Sequence, residues 1–166
     1  MSRPSWDETN MEMVAILAKR STCKYYQVGC RFIEPVRNLL IAEGYNGPAK
    51  NRPHCTEVGC NKDLGGYCVG NHAEANAIFH CHGSPVLLFP GTTCYITTFP
   101  CNQCMKQLAS APIARVVFLD WYQRRVVLDG ITQFVNESEG STEIAVFAGI
   151  RIDQYDPVKK CATPIT

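Results

Sequence analysis

Three side chains of the kinds that bind zinc lie in two short segments of this sequence. His72 occupies one segment, and Cys101 and Cys104 occupy the other. One imidazole and two thiolates leave a tetrahedral Zn²⁺ ion one open position for water, which is the arrangement of a catalytic rather than a structural zinc site. Glu74 lies two residues after the histidine, near enough to exchange protons with that water without binding the metal. The residue types therefore predict hydrolytic chemistry at a zinc ion.

The residues around these ligands predict that both segments begin helices. Apolar side chains recur at helical intervals through residues 73–81, and Pro100 precedes Cys101 at a position where helices tolerate proline. The partial positive charge of a helix N-terminus favours thiolates, and water on such a zinc ion has a pKa of roughly 7. Glu74 can then take its proton and return protons to a substrate. A structural zinc clip or a redox-active cysteine pair is the alternative.

The sequence resembles the deoxycytidylate (dCMP) deaminases. Its two ligand segments have the H-x-E…P-C-x-x-C pattern of zinc-dependent nucleobase deaminases. The resemblance covers roughly residues 5–125, in the order and spacing of that family. The segments that carry it are SWDE at 5–8, LAKRSTC at 17–23, QVGC at 27–30, GYNGP at 44–48, the Cys-containing stretch 54–68, HAEANAI at 72–78 and FPCNQC at 99–104.

This resemblance implies a fold, an activity and a mode of regulation. The fold is the three-layer α/β/α cytidine-deaminase fold, and the reaction is zinc-dependent hydrolysis of dCMP to dUMP and ammonia, which feeds thymidylate synthesis. Many members of the family are hexamers that dCTP activates and dTTP inhibits, often with Mg²⁺. We therefore expect a homo-oligomer with a nucleotide substrate and deoxynucleoside triphosphate effectors.

The resemblance also implies how a substrate would be held. Asn46 resembles the asparagine that holds the sugar hydroxyl, and the backbone at Ala73 is expected to hydrogen-bond the pyrimidine edge. Tyr122, with Trp121 second, is the candidate for the aromatic residue over the ring, with core packing as the alternative. The candidates for contacts with the phosphate are Lys24, Gln27 and Arg124.

The composition of the chain limits which partners and which cellular location we expect. The chain has 166 residues, 46% of them hydrophobic and 19% charged, and a formal net charge of +1. No basic run stands out, so no polymeric nucleic acid is expected as a partner, whereas a mononucleotide needs only a few local cations. The polar residues 1–12 lack the apolar stretch of a signal peptide, and no apolar run suggests a membrane segment. We expect a cytoplasmic enzyme, in a bacterial cytosol or in the cytosol of a phage-infected host.

Ten cysteines favour more than one metal site. Without a secretory signal, metal binding is a better explanation for them than disulfides. Cys23, Cys55, Cys60 and Cys68 would form a closed structural site for a second Zn²⁺ ion. His54 is an alternative ligand, and the alternative to a metal is that these are small buried thiols.

Periodicity and turn residues predict a single domain over residues 1–166, with a mixed sheet and the Cys-rich segment 44–71 as a loop insertion. Ser5 and Glu8 form a capping box before a helix that runs to about Arg20. About five strands are predicted, the first two as an edge hairpin: residues 27–34, 39–43, 93–98, 115–119 and 144–147. The later helices are predicted at residues 73–82, 102–110 and 127–139.

Three other functions fit parts of the pattern. A deaminase that prefers dCTP or a modified dCMP would need only small changes around the phosphate or the base. A tRNA- or DNA-editing deaminase is disfavoured by the lack of a basic patch and by the GYNGP turn at 44–48. A non-catalytic zinc module that senses nucleotides is disfavoured by Glu74, because a pure sensor needs no proton-transferring carboxylate beside an open zinc ion.

Overall fold

The computed structural model of the chain describes residues 3–81, 88–128 and 131–165. The helices are α1 (Trp6–Ala18), α2 (Cys55–Val58), α3 (Ala73–His80), α4 (Asn102–Ala109) and α5 (Ser138–Phe147), and a 3₁₀ helix spans Asn61–Leu64. The strands are β1 (Gly29–Glu34), β2 (Leu39–Tyr45), β3 (Gly47–Pro48), β4 (Gly70–Asn71), β5 (Thr92–Thr98), β6 (Ile113–Asp120), β7 (Gln123–Leu128), β8 (Ile131–Asn136), β9 (Arg151–Asp156) and β10 (Cys161–Pro164).

A mixed sheet forms the centre of the fold. Its six strands have the order β10-β9-β6-β5-β1-β2. Strands β5, β6 and β9 are parallel, and the other pairings in this sheet are antiparallel. The hairpin of β1 and β2 lies at one edge, which confirms the prediction for this part of the sequence.

Helices cover both faces of the sheet. On one face, Ala77 of α3, Leu108 of α4 and Ala145 of α5 are buried in the larger of two hydrophobic cores. On the other face, Val14 of α1 packs in a smaller core that includes the ring of Tyr95. The predicted three-layer α/β/α fold is therefore confirmed, with six strands in the sheet rather than about five.

The first helix begins where the sequence predicts. The Oγ of Ser5 accepts a hydrogen bond from the backbone amide of Glu8 at 3.1 Å, which satisfies one of the free donors of the first turn. The carboxylate of Glu8 turns away from the cap and accepts a hydrogen bond from Lys160 at 2.7 Å. This contact attaches the helix to the loop before the last strand.

The helix predicted over residues 127–139 is wrong. Strands β7 and β8 occupy most of that segment and pair as an antiparallel hairpin. Ile131 and Phe134 are 62% and 55% exposed, so their spacing does not mark the buried face of a helix. The β-branched residues of the segment favour strands, and the Asp-Gly pair at 129–130, outside the described residues, is a strong sequence signal for a hairpin.

The strand predicted over residues 144–147 is also wrong, because those residues form the last turn of α5. A short apolar run fits a buried helix as well as a strand. The strand that completes this side of the sheet is β9, which buries Ile152, Asp153 and Tyr155. The sequence does not predict this strand, because Asp153 interrupts the run of apolar residues that marks a buried strand. The predicted end of the second helix, His82, lies outside the described residues, and α3 ends at His80.

The segment 44–71 is not a plain loop. It contains the short ladder of β3 and β4, the single turn of α2 and the 3₁₀ helix. In the part of the chain that the structure describes, no helix has the length and apolar character needed to cross a membrane.

A buried ionic network joins α1 to two strands of the sheet. The guanidinium of Arg115 donates two hydrogen bonds to Asp7 at 2.8 Å and one to Asp153 at 2.5 Å. Asp153 is fully buried, and the hydroxyl of Tyr95 donates to Asp7 at 2.6 Å. Burial alone would raise the pKa of Asp7, but the hydrogen bonds from Arg115 and Tyr95 outweigh it and lower that pKa.

We expect Arg115→Leu to lower the free energy of unfolding by about 2 kcal/mol, because it removes the guanidinium between Asp7 and the buried Asp153 and leaves Asp153 with Arg151, at 2.8 Å, as its cationic partner. Urea unfolding followed by circular dichroism measures this. Lys159→Leu is the control, since it removes only a surface pair with Asp156 and should cost at most about 0.5 kcal/mol. Equal effects of the two changes would show that the network adds nothing to stability.

Candidate metal centre

The three predicted metal ligands meet at one point. The Nδ1 of His72 lies 3.5 Å from the Sγ of Cys101 and 3.4 Å from the Sγ of Cys104. All three ligand atoms lie within 4.8 Å of one another. Tetrahedral zinc with Zn–N and Zn–S bonds of about 2.0 and 2.3 Å separates nitrogen from sulfur by about 3.5 Å. The donor atoms therefore fit a Zn²⁺ ion with three protein ligands.

Two helix N-termini position these ligands. His72 is the N-cap residue of α3, Cys101 is the N-cap residue of α4, and Cys104 lies in the first turn of α4. Both helices thus begin where the sequence predicts. Strand β5 leads directly into the cysteine segment, so the site lies at the carboxyl end of a parallel strand, where α/β proteins usually bind ligands.

Gly44 allows α3 to lie close to the sheet. A Cβ atom at this position would come within 2.5 Å of the backbone nitrogen of Ala77 and 2.8 Å of the carbonyl oxygen of Ala73. The side chain of Asn76 also donates a hydrogen bond to the carbonyl of Tyr45 at 2.7 Å. The first glycine of the GYNGP segment therefore helps to fix the helix that begins at the metal ligand.

The three ligand side chains change one another's pKa. Hydrogen bonds from the Cys104 thiol and from His72 lower the pKa of Cys101. The hydrogen bond with Cys101, together with burial, raises the pKa of Cys104. The hydrogen bond with Cys101 raises the pKa of His72, although burial and the positive charge of Lys62 oppose that rise. These shifts favour a thiolate at Cys101 and a thiol at Cys104 when no metal is bound.

Glu74 lies in the first turn of α3 and is only 4% exposed. Burial raises its pKa to about 7, while the charge of His72 and its own backbone amide act in the opposite direction. A carboxyl group with this pKa is present in both protonation states near neutral pH, so it can accept a proton and donate one.

A cavity of about 110 Å³ opens onto this group. His72, Glu74 and Cys101 line it, and so do the predicted substrate-binding residues Asn46 and Tyr122. The other lining residues are Cys23, Tyr26, Val28, Gly47, Pro48, Cys55, Cys60, Asn61, Lys62, Cys68, Val69, Gly70, Asn71, Ala73, Thr98 and Phe99. The structure thus brings most of the predicted site to one cavity.

Two of the predicted substrate-binding side chains have defined surroundings. Asn46 is fixed by two backbone contacts, accepting from the amide of Val28 at 2.8 Å and donating to the carbonyl of Tyr26 at 2.9 Å. Tyr122 is half-buried on the cavity wall, 6.1 Å from the ring of Tyr26 between centroids. Trp121 packs between Phe99 and Phe118 instead and does not line the cavity.

The three phosphate candidates lie away from the cavity wall. Lys24 contacts Asp63 at 3.4 Å, and Arg124 contacts Glu137 at 2.8 Å. Gln27 is exposed and does not line the cavity either. Tyr26 and Lys62 are among the lining residues that the sequence did not predict. In the sequence, Lys62 lies between the candidate metal ligands Cys60 and Cys68. The spacing of these thiols predicts metal binding and gives no signal for a substrate contact by the lysine.

The four cysteines predicted for a second zinc lie near one another without forming a closed site. Cys23, Cys55, Cys60 and Cys68 all line the cavity, and burial together with the other three sulfurs raises the pKa of Cys55. Among the described residues, however, only the group at His72 brings three ligand atoms within 4.8 Å of one another. The alternative ligand His54 contacts Thr22 at 2.8 Å. The second zinc stays a prediction.

Residues 4–120 match the protein family described as the cytidine and deoxycytidylate deaminase zinc-binding region. The chain is similar to the ComE operon protein 2 of Bacillus subtilis, with 36% identity over 126 residues, which cover 74% of this chain and 64% of that protein. It is also similar to the deoxycytidylate deaminase of Mycobacterium phage D29, with 33% identity over 131 residues, which cover 71% of this chain and 97% of that protein.

Some of the similar proteins are considerably longer than the matched region. The deoxycytidylate deaminase of Schizosaccharomyces pombe is 31% identical over 168 residues, and the match covers 45% of its length. A crystal structure of the dCMP deaminase from the cyanophage S-TIM5, in complex with dCMP and dUMP, superposes with a TM-score of 0.70 at 20% identity. That superposition covers 93% of this chain and 99% of the other, and at this identity it supports the fold alone.

We expect zinc binding near pH 7 to release protons, because ligands must be deprotonated and the metal-free site holds a thiol at Cys104. A pH indicator in weakly buffered solution measures the release when zinc is added to the metal-free protein. Wild-type protein should release about one proton more per chain than Cys104→Ser, because only the wild type has this thiol to ionise. Equal release from both proteins would contradict ligation by Cys104.

Proposed function

The chain belongs to the cytidine and deoxycytidylate deaminase family, and we propose that it hydrolyses dCMP to dUMP and ammonia. The observation that carries this proposal is the buried carboxyl group of Glu74 at the cavity where His72, Cys101 and Cys104 form a three-ligand group that fits zinc. The D29 deoxycytidylate deaminase, which the match covers over 97% of its length, supports the choice of substrate.

The metal ligands and Glu74 have separate roles in this reaction. His72, Cys101 and Cys104 would hold a Zn²⁺ ion, which supplies Lewis acidity and lowers the pKa of water. Glu74 accepts a proton from the attacking water and delivers it to N3 of the cytosine ring as the oxygen adds to C4. Glu74 then carries a second proton to the exocyclic amine, which leaves as ammonia, and C4 keeps the oxygen.

The cavity wall supplies groups that would hold the substrate. The fixed side chain of Asn46 is proposed to bind the sugar hydroxyl, and the buried backbone of Ala73 to bind the pyrimidine edge. Tyr122 is proposed to cover the ring. The phosphate contacts assigned by sequence to Lys24, Gln27 and Arg124 stay predictions, as do activation by dCTP, inhibition by dTTP with Mg²⁺, a hexameric assembly and a cytoplasmic location.

A second, structural zinc is part of the proposal. The four sulfurs of Cys23, Cys55, Cys60 and Cys68 lie around the cavity on segments that are joined by a hydrogen bond from the amide of Thr56 to the carbonyl of Thr22. A closed tetrahedral thiolate site would fix the Cys-rich segment that forms part of the cavity wall. The ion would thus act on the shape of the cavity rather than on the reaction.

We expect Glu74→Gln to retain zinc and to reduce kcat for dCMP by about 10²- to 10⁴-fold, because the amide cannot transfer the protons. Ammonia release measures turnover, and metal analysis measures zinc. Glu12→Gln removes an exposed carboxylate on α1 and should leave both unchanged. Near-normal deamination by Glu74→Gln would rule out this carboxylate as the proton-transferring group.

We expect the wild-type protein to contain two zinc ions per chain, and the double variant Cys60→Ser, Cys68→Ser to contain one. Metal analysis of the purified proteins provides the count, and thermal unfolding reports the loss of the structural ion. Cys161→Ser, which changes an exposed cysteine far from the Cys-rich segment in the sequence, is the control. A single zinc ion in the wild type, unchanged in the double variant, would remove the second site from the proposal.

A further inference from the structure

One lysine faces the cavity next to the metal group. Among the described residues that line the cavity, Lys62 is the only lysine or arginine. Its side chain is exposed, so it lies at the mouth of the cavity. No salt bridge of Lys62 with a carboxylate occurs among the described residues. Lys62 thus offers a cation to a ligand in the cavity.

The residues on either side fix the position of Lys62. Asp63 accepts hydrogen bonds from the hydroxyl of Tyr25 at 2.6 Å and from Arg125 at 2.6 Å. Asn61 donates to the carbonyl of Tyr67 at 3.0 Å, which closes the turn that follows the 3₁₀ helix. Because both neighbours are fixed, the backbone at Lys62 is held with its side chain at the cavity mouth.

Three other candidate cations, Lys24, Arg124 and Arg125, already have carboxylate partners. Asp63 contacts both Lys24, at 3.4 Å, and Arg125, which also lies over the ring of Tyr25 at 3.9 Å. Arg124 is paired with Glu137. A phosphate would have to compete with these carboxylates for Lys24, Arg124 or Arg125. It would meet no such competition at Lys62.

We propose that Lys62 binds the 5′-phosphate of the nucleotide and so makes the enzyme prefer a nucleoside monophosphate to the free nucleoside. This inference rests on the proposed deamination of dCMP. The base lies against the metal group and Glu74 at the bottom of the cavity, and the phosphate extends towards the mouth, where the ammonium group of Lys62 can donate charge-assisted hydrogen bonds to it.

The test compares two substrates that differ only in the phosphate. We expect Lys62→Met to lower kcat/KM for dCMP by about 10- to 100-fold, mainly through KM, because a hydrogen bond to a charged group is lost. The same variant should deaminate deoxycytidine within about twofold of the wild-type rate, since it replaces neither a metal ligand nor Glu74. Methionine keeps most of the length of the side chain, which limits other effects on the loop.

Lys50→Met is the matched control, because Lys50 is an exposed lysine of the same Cys-rich segment that does not line the cavity. Its ratio of dCMP to deoxycytidine activity should equal that of the wild type. Equal losses for both substrates in Lys62→Met, or an unchanged ratio, would overturn the assignment while leaving the deaminase proposal in place. A larger drop of the ratio in Lys24→Met would also overturn it and would favour Lys24.

A wild-type protein that contains zinc but deaminates neither dCMP nor deoxycytidine would overturn the proposed function itself. In that case, the binding of dUMP and of deoxyuridine, measured by calorimetry, tests whether Lys62 binds the 5′-phosphate, because this measurement needs no turnover. Lys62→Met should weaken dUMP binding by about 10-fold or more and leave deoxyuridine binding unchanged. Unchanged dUMP binding would contradict the role of Lys62 in that case.

Discussion

The burial of Glu74 beside the metal group is the constraint on which the site depends. A carboxylate in an apolar surrounding is costly when it is ionised, and this cost raises its pKa to about 7. A buried carboxyl group with this pKa can act in catalysis only if a neighbouring group exchanges protons with it. The group of His72, Cys101 and Cys104 would provide that partner, because a zinc ion with three protein ligands keeps one position for water.

Backbone packing, rather than the ligands themselves, sets this arrangement. Helix α3 approaches the sheet closely because Gly44 has no side chain, and helix α4 begins directly after strand β5. The two N-termini therefore meet at one point, with nitrogen-to-sulfur distances of 3.4 and 3.5 Å. On the opposite face, the network of Arg115 with two buried or half-buried carboxylates holds α1 to the sheet.

The sequence was most informative where the chemistry of a residue depends on its near neighbours. The metal ligands, the helix starts after His72 and Cys101 and the hairpin of β1 and β2 all follow from local spacing. It was least informative near the C-terminus. There, the spacing of apolar residues in β8 is typical of one face of a helix, although these residues are exposed. The buried Asp153 interrupts the apolar pattern of strand β9. Lys62 was missed for a similar reason, since only the folded loop brings it to the cavity that His72 and Glu74 line.

Anomalous diffraction at the zinc absorption edge, from crystals of the purified protein, tests the central claim most directly. We expect a peak between His72, Cys101 and Cys104, with water as the fourth ligand and the Glu74 carboxylate within hydrogen-bond distance of that water. A peak at which another side chain takes the fourth position, or no peak between these three residues, would contradict it.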